Sequence, residues 1–333
     1  MMQTVIDELI HYYFIHPSYE IESVPFGLTN LTKIVKINDR KYVVRIYDRY
    51  TKNVQSMEME SKITSFLSGS NLTFQVPVFL RALNGEEYIQ LADGTLGAVV
   101  SFIEGRVPEI VEAQQALKFG QVVGEISSTL SKYETDLLDH HGKAFSDLYD
   151  LHPLAERNDI TSFIENPPFY ISESHLNFYK DTILSVEMSI HQLKSLPRQL
   201  VHHDLLIFNL LSQNNYICGV LDFDFTSIDA GFMEFVISLN HILQISNGSM
   251  ELTEAYIKGY AVYRKATIQE INHLQLMTQI YHIAVLHIYI GQHYSGKPIE
   301  ANFNYILHQF QTRNNWLNEH REALQALLEF YLV

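Results

Sequence analysis

The sequence predicts an α+β fold of two lobes, a small antiparallel sheet with one inserted helix followed by a larger, mainly helical lobe. Three observations predict it. The first hundred residues are dominated by short alternating runs separated by turn residues. From about Pro108 apolar residues recur at helical spacing over long runs. Between those runs sits one hairpin whose flanks carry polar residues inside apolar sequence. A chain of 333 residues is long enough to bury a core in each lobe.

The elements follow in order. "YEIESVPF" (19–26) alternates, and "LTKIVKI" (31–37) meets "KYVVRIY" (41–47) across Asn38-Asp39-Arg40, a hairpin signal. "VQSMEMESKITSFLS" (54–68) places Met59, Ile63, Phe66 and Leu67 at helical spacing. "VPVFLRA" (76–82), "EEYIQLA" (86–92) and "TLGAVVSFI" (95–103) read as strands separated by Asn84-Gly85 and Asp93-Gly94 turns. "IEGRVPE" (103–109), punctuated by Gly105 and Pro108, divides the chain into lobes of residues 1–103 and 104–333. Helical patterns then cover 112–134, 174–195 and most of 232–331, and a hairpin over 208–223 turns at Gln213-Asn214-Asn215.

Composition narrows the function classes. With 47% hydrophobic and 18% charged residues the chain suits a soluble globular protein. Its 23 Lys+Arg against 38 Asp+Glu give −15, which argues against binding a nucleic-acid backbone. The single Cys218 excludes an internal disulfide framework and a multi-cysteine zinc site. The N-terminus carries Asp7 and Glu8 where a leader peptide has basic residues. The most membrane-like stretch, 274–290, is interrupted by Gln275, Gln279, His282 and His287, so a buried helix is expected there and no membrane span. A cytoplasmic protein is the expectation.

The chemistry concentrates in "LVHHDLLIFNLL" (200–211) and "LDFDF" (221–225). Buried carboxylates are costly unless paired, hydrogen-bonded or bound to a metal, so Asp204, Asp222 and Asp224 inside apolar runs need a chemical reason. Turn formers capping a hairpin would account for Asp204 and Asn209, but not for Asp222 as well. "HHDLLIFNLL…GVLDFDF" resembles the H-G-D-x-x-x-x-N…D-F-x motif of the aminoglycoside phosphotransferase and choline kinase superfamily, small-molecule kinases of protein-kinase-like fold that include type II homoserine kinases. The resemblance implies that Asp204 is the catalytic base, that Asn209 and Asp222 hold Mg²⁺, and that Asp224 is a second-sphere or second-metal group. It makes His202 structural. Mg²⁺ takes oxygen ligands, and a hairpin brings its two ends together, so Asn209 and Asp222 can share one ion.

The same resemblance assigns the small lobe to the nucleotide. "FGLTN" (26–30) matches the turn over the ATP phosphates, implicating Gly27, Thr29 and Asn30. Arg45 stands where these kinases carry a phosphate-binding lysine, and Glu60, fifteen residues on, is placed to pair with it in preference to Glu58. Ser101, Phe102 and Ile103 fit the connection that meets the adenine. Three residues depart from the pattern. Arg45 is bulkier and planar compared with lysine; His203 replaces a small glycine; and Val236 lies where relatives place an aspartate that braces the catalytic loop, leaving Glu234 as its replacement.

The resemblance therefore implies an ATP-dependent, Mg²⁺-requiring transfer of the γ-phosphoryl group to a hydroxyl of a small molecule, with GTP left open as donor. Homoserine-like amino alcohols, aminoglycosides, choline-like amines and sugars all stand as acceptors. "GLTNLTKIV…YVVRIY" leans towards the homoserine kinase type, and the acidic balance towards a cationic acceptor. Two other readings stay open: a nucleotide-binding pseudokinase, suggested by Arg45 and His203, and a metal-dependent hydrolase using His202, His203 and the aspartates.

Overall fold

The computed structural model describes residues 2–23 and 30–333, so the Gly27 and Thr29 assignments fall outside the described residues. The chain opens with α1 (Met2–Tyr13), followed by β1 (Tyr19–Ser23), β2 (Leu31–Ile37), β3 (Arg40–Ile46), α2 (Val54–Gly69), β4 (Ile89–Gln90) and β5 (Leu96–Ser101). These strands form one antiparallel sheet in the order β1-β2-β3-β5-β4, so β1 and β4 are its edges. Beyond it come α3 (Ala113–Leu130), α4 (Arg157–Glu165), α5 (Glu173–Ser189) and β6 (Arg198–Val201). Then follow β7 (Leu210–Gln213), β8 (Tyr216–Val220), β9 (Ser227–Ala230), α6 (Met233–Ile245) and α7 (Met250–Ala261). The chain ends in α8 (Ile268–Asn272), α9 (Leu274–Tyr294), α10 (Glu300–Glu319) and α11 (Arg321–Leu332). This is the two-lobed α+β architecture that the sequence predicts.

Period-two alternation gives the small sheet two apolar faces. Val35, Val44 and Val99 pack with Ile6, Leu9 and Ile10 of α1, while Ala98 and Val100, one step out of phase, pack with Met57 of α2. Further along α2, Met59, Ile63 and Leu67 join the core of the helical lobe. One helix thus belongs to both cores and fixes how they meet. Both tight hairpins turn on two residues of positive φ, Asn38-Asp39 (48° and 61°) and Asn214-Asn215 (49° and 63°). Asn and Asp tolerate that left-handed geometry, which matches the twist of paired strands.

Three expectations need correction. The first hundred residues are not only strands: α1 is a helix, and Ile6, Leu9, Ile10 and Tyr13 form its buried stripe. "VPVFLRA" (76–82) runs beside β5 without forming a strand, joined by an isolated bridge from Phe79 to Val100 and by Leu80 N–H to Val99 O at 2.9 Å. Pro77 has no N–H to give a ladder. The strand expected over 86–92 shrinks to β4, because the turns at both its ends leave only Ile89 and Gln90 paired with β5. The apolar stretch 274–290 lies in α9 with His282 and His287 buried and bonded to Thr278 O and Leu148 O. No helix among the described residues is long and apolar enough to cross a membrane.

The helical lobe is built around α6, buried from Met233 to Leu243, and around the α3–α7 contact. There the backbones touch: a Cβ on Gly120 would strike the Tyr256 carbonyl, and one on Gly259 the Leu117 carbonyl. Gly259→Ala should therefore force the two helices apart and cost about 1–3 kcal/mol or more in urea unfolding. Gly69→Ala, with nothing near the added methyl, should lie within about 1 kcal/mol of wild type. Equal stabilities of the two variants would refute the close-contact explanation.

Candidate active site

Strand pairing assembles the site. β6 pairs antiparallel with β9, Val201 opposite Ser227, so the loop after β6 lies beside residues 222–226. The β7–β8 hairpin brings Leu221 N–H onto Asn209 O at 2.8 Å. Asp204, Asn209, Asp222 and Asp224 are thereby gathered from two short segments.

The loop itself is held by buried polar contacts. His202 N–H donates to Glu234 Oε2 at 2.6 Å, and Ser238 Oγ donates to Leu205 O at 2.8 Å. Glu234 thus supplies the brace, while Val236 is wholly buried in the apolar core. The His202 ring accepts Asp204 N–H at Nδ1 (3.2 Å) and donates from Nε2 to Leu221 O (3.0 Å), which fixes its tautomer. Burial pushes its pKa down to about 4, so the ring is neutral. His203 sits at φ 68°, a left-handed position where glycine is the easy residue. Its side chain is accommodated by Asp229, whose Oδ2 lies 3.1 Å from Nε2 and also accepts Phe145 N–H at 2.9 Å. With Val201 O at 3.1 Å from His203 Nδ1, neither histidine has a ring nitrogen left for a metal, which removes the main support for the hydrolase reading.

At the centre, Asn209 Nδ2 donates to Asp204 O (2.8 Å) and Asp204 Oδ2 (2.7 Å). Burial, then the negative charges of Asp222 and Asp224, raise the Asp204 carboxyl well above the usual carboxylate range. Asp222 adopts φ 65°, a strained conformation for a non-glycine residue, and keeps its side chain about a third exposed. Burial and Asp224 push it up to about 6 against the opposing pull of Arg45 and Lys52. Burial also works against the charge of Asp224, but Lys52, Arg45 and a 2.7 Å hydrogen bond from Asn30 Nδ2 more than offset it and leave its pKa lowered.

Arg45 reaches across from β3. Its Nη1 lies 2.7 Å from Glu60 Oε1 and its Nη2 lies 2.5 Å from Asp222 Oδ1, with the guanidinium 5.0 Å from the Tyr47 ring centre. The Glu60 partner is the one the spacing predicts; Glu58 instead accepts from the Tyr88 hydroxyl at 3.3 Å. At the end of β5, Ser101 Oγ accepts Val78 N–H (3.0 Å), Phe102 lies under Lys41 Nζ (5.4 Å), and Ile103 is buried. Sequence reasoning missed Lys52, which is 3.6 Å from Asp224 Oδ2 and also donates to the Asp224 carbonyl. It missed a further contact between the lobes, Lys297 Nζ to Asp48 Oδ2 at 2.8 Å. It also missed Asp229, a buried aspartate inside the apolar run "TSIDAGF" that carried the same signal as Asp222.

A metal would find hard oxygen donors here. Among the described residues no hydrogen bond engages Asn209 Oδ1 or Asp222 Oδ2, and the donor set suits Mg²⁺ better than a soft ion.

The buried carboxyls set a pH dependence of stability. Burial raises Glu234 from 4.5 to about 7, against the His202 N–H bond. Between these values the folded chain binds more protons than the unfolded one, so stability falls as pH rises through that window and stays lower above it. Glu234→Gln should shrink the loss in unfolding free energy between pH 5 and pH 8 by about 2–3 kcal/mol. A wild-type slope left intact in the variant would refute the assignment; Glu60, raised to about 7 by burial, supplies a residual slope of the same sign.

The geometry agrees with comparisons to known proteins. Residues 20–270 match the model of the phosphotransferase enzyme family. The homoserine kinase of Zymomonas mobilis subsp. mobilis is 24% identical over 247 residues, covering 72% of this chain and 71% of its own. Among solved structures, a microcompartment-associated aminopropanol kinase superposes with TM-score 0.73 at 14% identity, covering 97% of this chain and 98% of that one. An amicoumacin kinase in complex with AMP-PNP and Ca²⁺ gives TM-score 0.68 at 15% identity over 97% and 93% of the two chains. The chain belongs to the phosphotransferase enzyme family and is a phosphotransferase acting on hydroxyl groups.

Proposed function

We propose that the protein transfers the γ-phosphoryl group of ATP to the hydroxyl of a small amino alcohol of the homoserine type, with Mg²⁺, in the cytoplasm. The observation that carries this reading is Asp204, held at its carboxyl and carbonyl by one asparagine and raised in pKa by burial and two neighbouring carboxylates. A base with a raised pKa suits proton transfer near neutral pH. The curated relatives named as homoserine kinases, and an aminopropanol kinase among the structural neighbours, favour an amino alcohol over a sugar.

In this reading residues 1–103 contribute Asn30, Arg45, Glu60 and the Ser101–Ile103 connection to the nucleotide, and residues 104–333 contribute the acceptor side. Asn209 and Asp222 would hold Mg²⁺, which would neutralise phosphate charge. Asp224 stands behind them, secured by Asn30 and Lys52. Asp204 orients the acceptor hydroxyl and takes its proton as the new O–P bond forms and the bond to the departing ADP oxygen breaks. Catalysis of this kind is mostly positioning and electrostatic stabilisation.

One observation favours a second reading. Arg45 sits 2.5 Å from the carboxylate assigned to the metal, as a pseudokinase that excludes the ion would have it. Calorimetric titration of Mg·ATP, with Mg·GTP beside it, separates the two. Metal-dependent binding that weakens at least about tenfold in Asp222→Ala is expected. Asp204→Asn should keep that binding and lower kcat by about 10²–10⁴-fold. Nucleotide binding that needs no metal and is accompanied by no turnover in the wild type would favour the pseudokinase, and unchanged turnover in Asp204→Asn would overturn the base assignment.

A further inference from the structure

Helix α9 runs past Asp204, and two separate chains of contact fix it there. Asn240 of α6 donates from Nδ2 to Thr278 Oγ1 at 2.9 Å, and Ser238, on the same helix, holds Leu205 O next to Asp204. Tyr281 follows Thr278 by three residues, so it leaves α9 on the same face. From the other side its ring stacks on Phe145 with centroids 6.2 Å apart. Phe145 in turn packs on the His203 ring at 4.4 Å, one residue before Asp204. Tyr289 continues that stripe about two turns further along the helix.

Both tyrosines bring a hydroxyl with nothing to bond. Other tyrosines of the helical lobe spend theirs inside the protein: Tyr149 donates to Glu187 Oε1, Tyr256 to Phe235 O, and Tyr294, on α9 itself, to Asp159 O. The Tyr179 and Tyr260 hydroxyls are unpartnered but sealed from water, where no ligand reaches them. Those of Tyr281 and Tyr289 make no hydrogen bond among the described residues and are not sealed. Burial, then the charge of Asp204, raises both phenols, so each stays a protonated donor in the field of that carboxylate. No charge of Arg45, Asp222 or Asp224 acts on either, which puts the pair on the side of Asp204 away from the carboxylates assigned to the metal. Asp204 spends Oδ2 on Asn209, and no hydrogen bond engages its Oδ1 among the described residues.

An acceptor must present its hydroxyl to Asp204 from the side that the metal and the phosphates leave open, and α9 lines that side. We propose that Tyr281 and Tyr289 are acceptor-binding residues, donating hydrogen bonds to the acceptor and aiming its hydroxyl at Asp204 Oδ1. This rests on the phosphotransferase reading above and adds to it the residues that hold the acceptor. Tyrosines that only filled the core would have their hydroxyls bonded or shut away, because a polar group half-withdrawn from water without a partner costs free energy. Two open donors beside a free carboxylate oxygen are completed by a ligand that accepts from the first two and donates to the third.

Initial-rate kinetics at saturating Mg·ATP test this in Tyr281→Phe, Tyr289→Phe and the double variant, with L-homoserine and 3-aminopropan-1-ol as acceptor probes. Phenylalanine keeps the ring and its packing, so each single change should raise the KM of the better probe about twofold to tenfold, the loss of one hydrogen bond. The double variant should raise it further, with kcat left near the wild-type value. The Kd of Mg·AMP-PNP by calorimetry and the unfolding temperature should not move. Tyr294→Phe removes a hydroxyl from the same helix that is already spent, and should leave the acceptor KM unchanged. An acceptor KM unchanged in the double variant, or one that rises only together with the nucleotide Kd or with a fall in unfolding temperature, overturns the proposal and leaves the phosphotransferase reading standing. Phosphorylation of neither probe by the wild type overturns the amino-alcohol reading and this assignment with it.

Discussion

A guanidinium with almost no access to water needs its charge answered on the spot, and Arg45 is answered from two directions. Glu60 reaches it from α2 and Asp222 from the turn after β8, so one side chain on the sheet fixes the helix and the segment after β8 together. Removing one partner of such a group leaves an uncompensated buried charge, which costs about 3–5 kcal/mol. The arrangement of the lobes follows from that constraint. Lys52 and Lys297 add two more contacts between the lobes, both through the loop between β3 and α2, so the small lobe is tied to the large one along one side of the site.

The loop after β6 depends on a different kind of support. Its backbone is irregular, and its polar groups are satisfied from the buried part of α6 and from β9. Glu234 and Ser238 take the loop's N–H and donate to its carbonyl, and Asp229 holds His203. Rigid elements therefore carry a strained segment, with left-handed residues at His203 and Asp222 on either side of Asp204. The chain reaches this with a histidine where a glycine is usual, because a buried aspartate stands ready to receive the larger side chain.

Much of the site was legible in the sequence because its residues violate their surroundings. Asp204, Asn209 and Asp222 stand out inside apolar runs, and a hairpin between them predicts that they meet. Arg45 was legible through the resemblance, as the residue in the lysine's place, and Glu60 through helical spacing, since it shares a face with Ile63 and Leu67. Lys52, Asp48 and Lys297 were not, because they lie in loops where no periodicity says which way a side chain points. Asp229 was legible by the same rule as Asp222. The first helix was written in Ile6, Leu9, Ile10 and Tyr13 at i, i+3, i+4 and i+7. The run 76–82 misled because alternation records which side chains are buried and is silent on whether a backbone ladder exists.

The sheet's two edges have a bearing on how the protein behaves at high concentration. An exposed strand edge is a template for another strand, and proteins blunt it with shortness or charge. β4 is only two residues long. β1 carries Glu20 and Glu22 in a five-residue strand, with Glu22 held by Lys41 at 3.0 Å. Two copies of β1 meeting antiparallel would set glutamates against glutamates, which like-charge repulsion opposes. The small lobe is thus protected against edge-to-edge aggregation by the composition of its shortest elements.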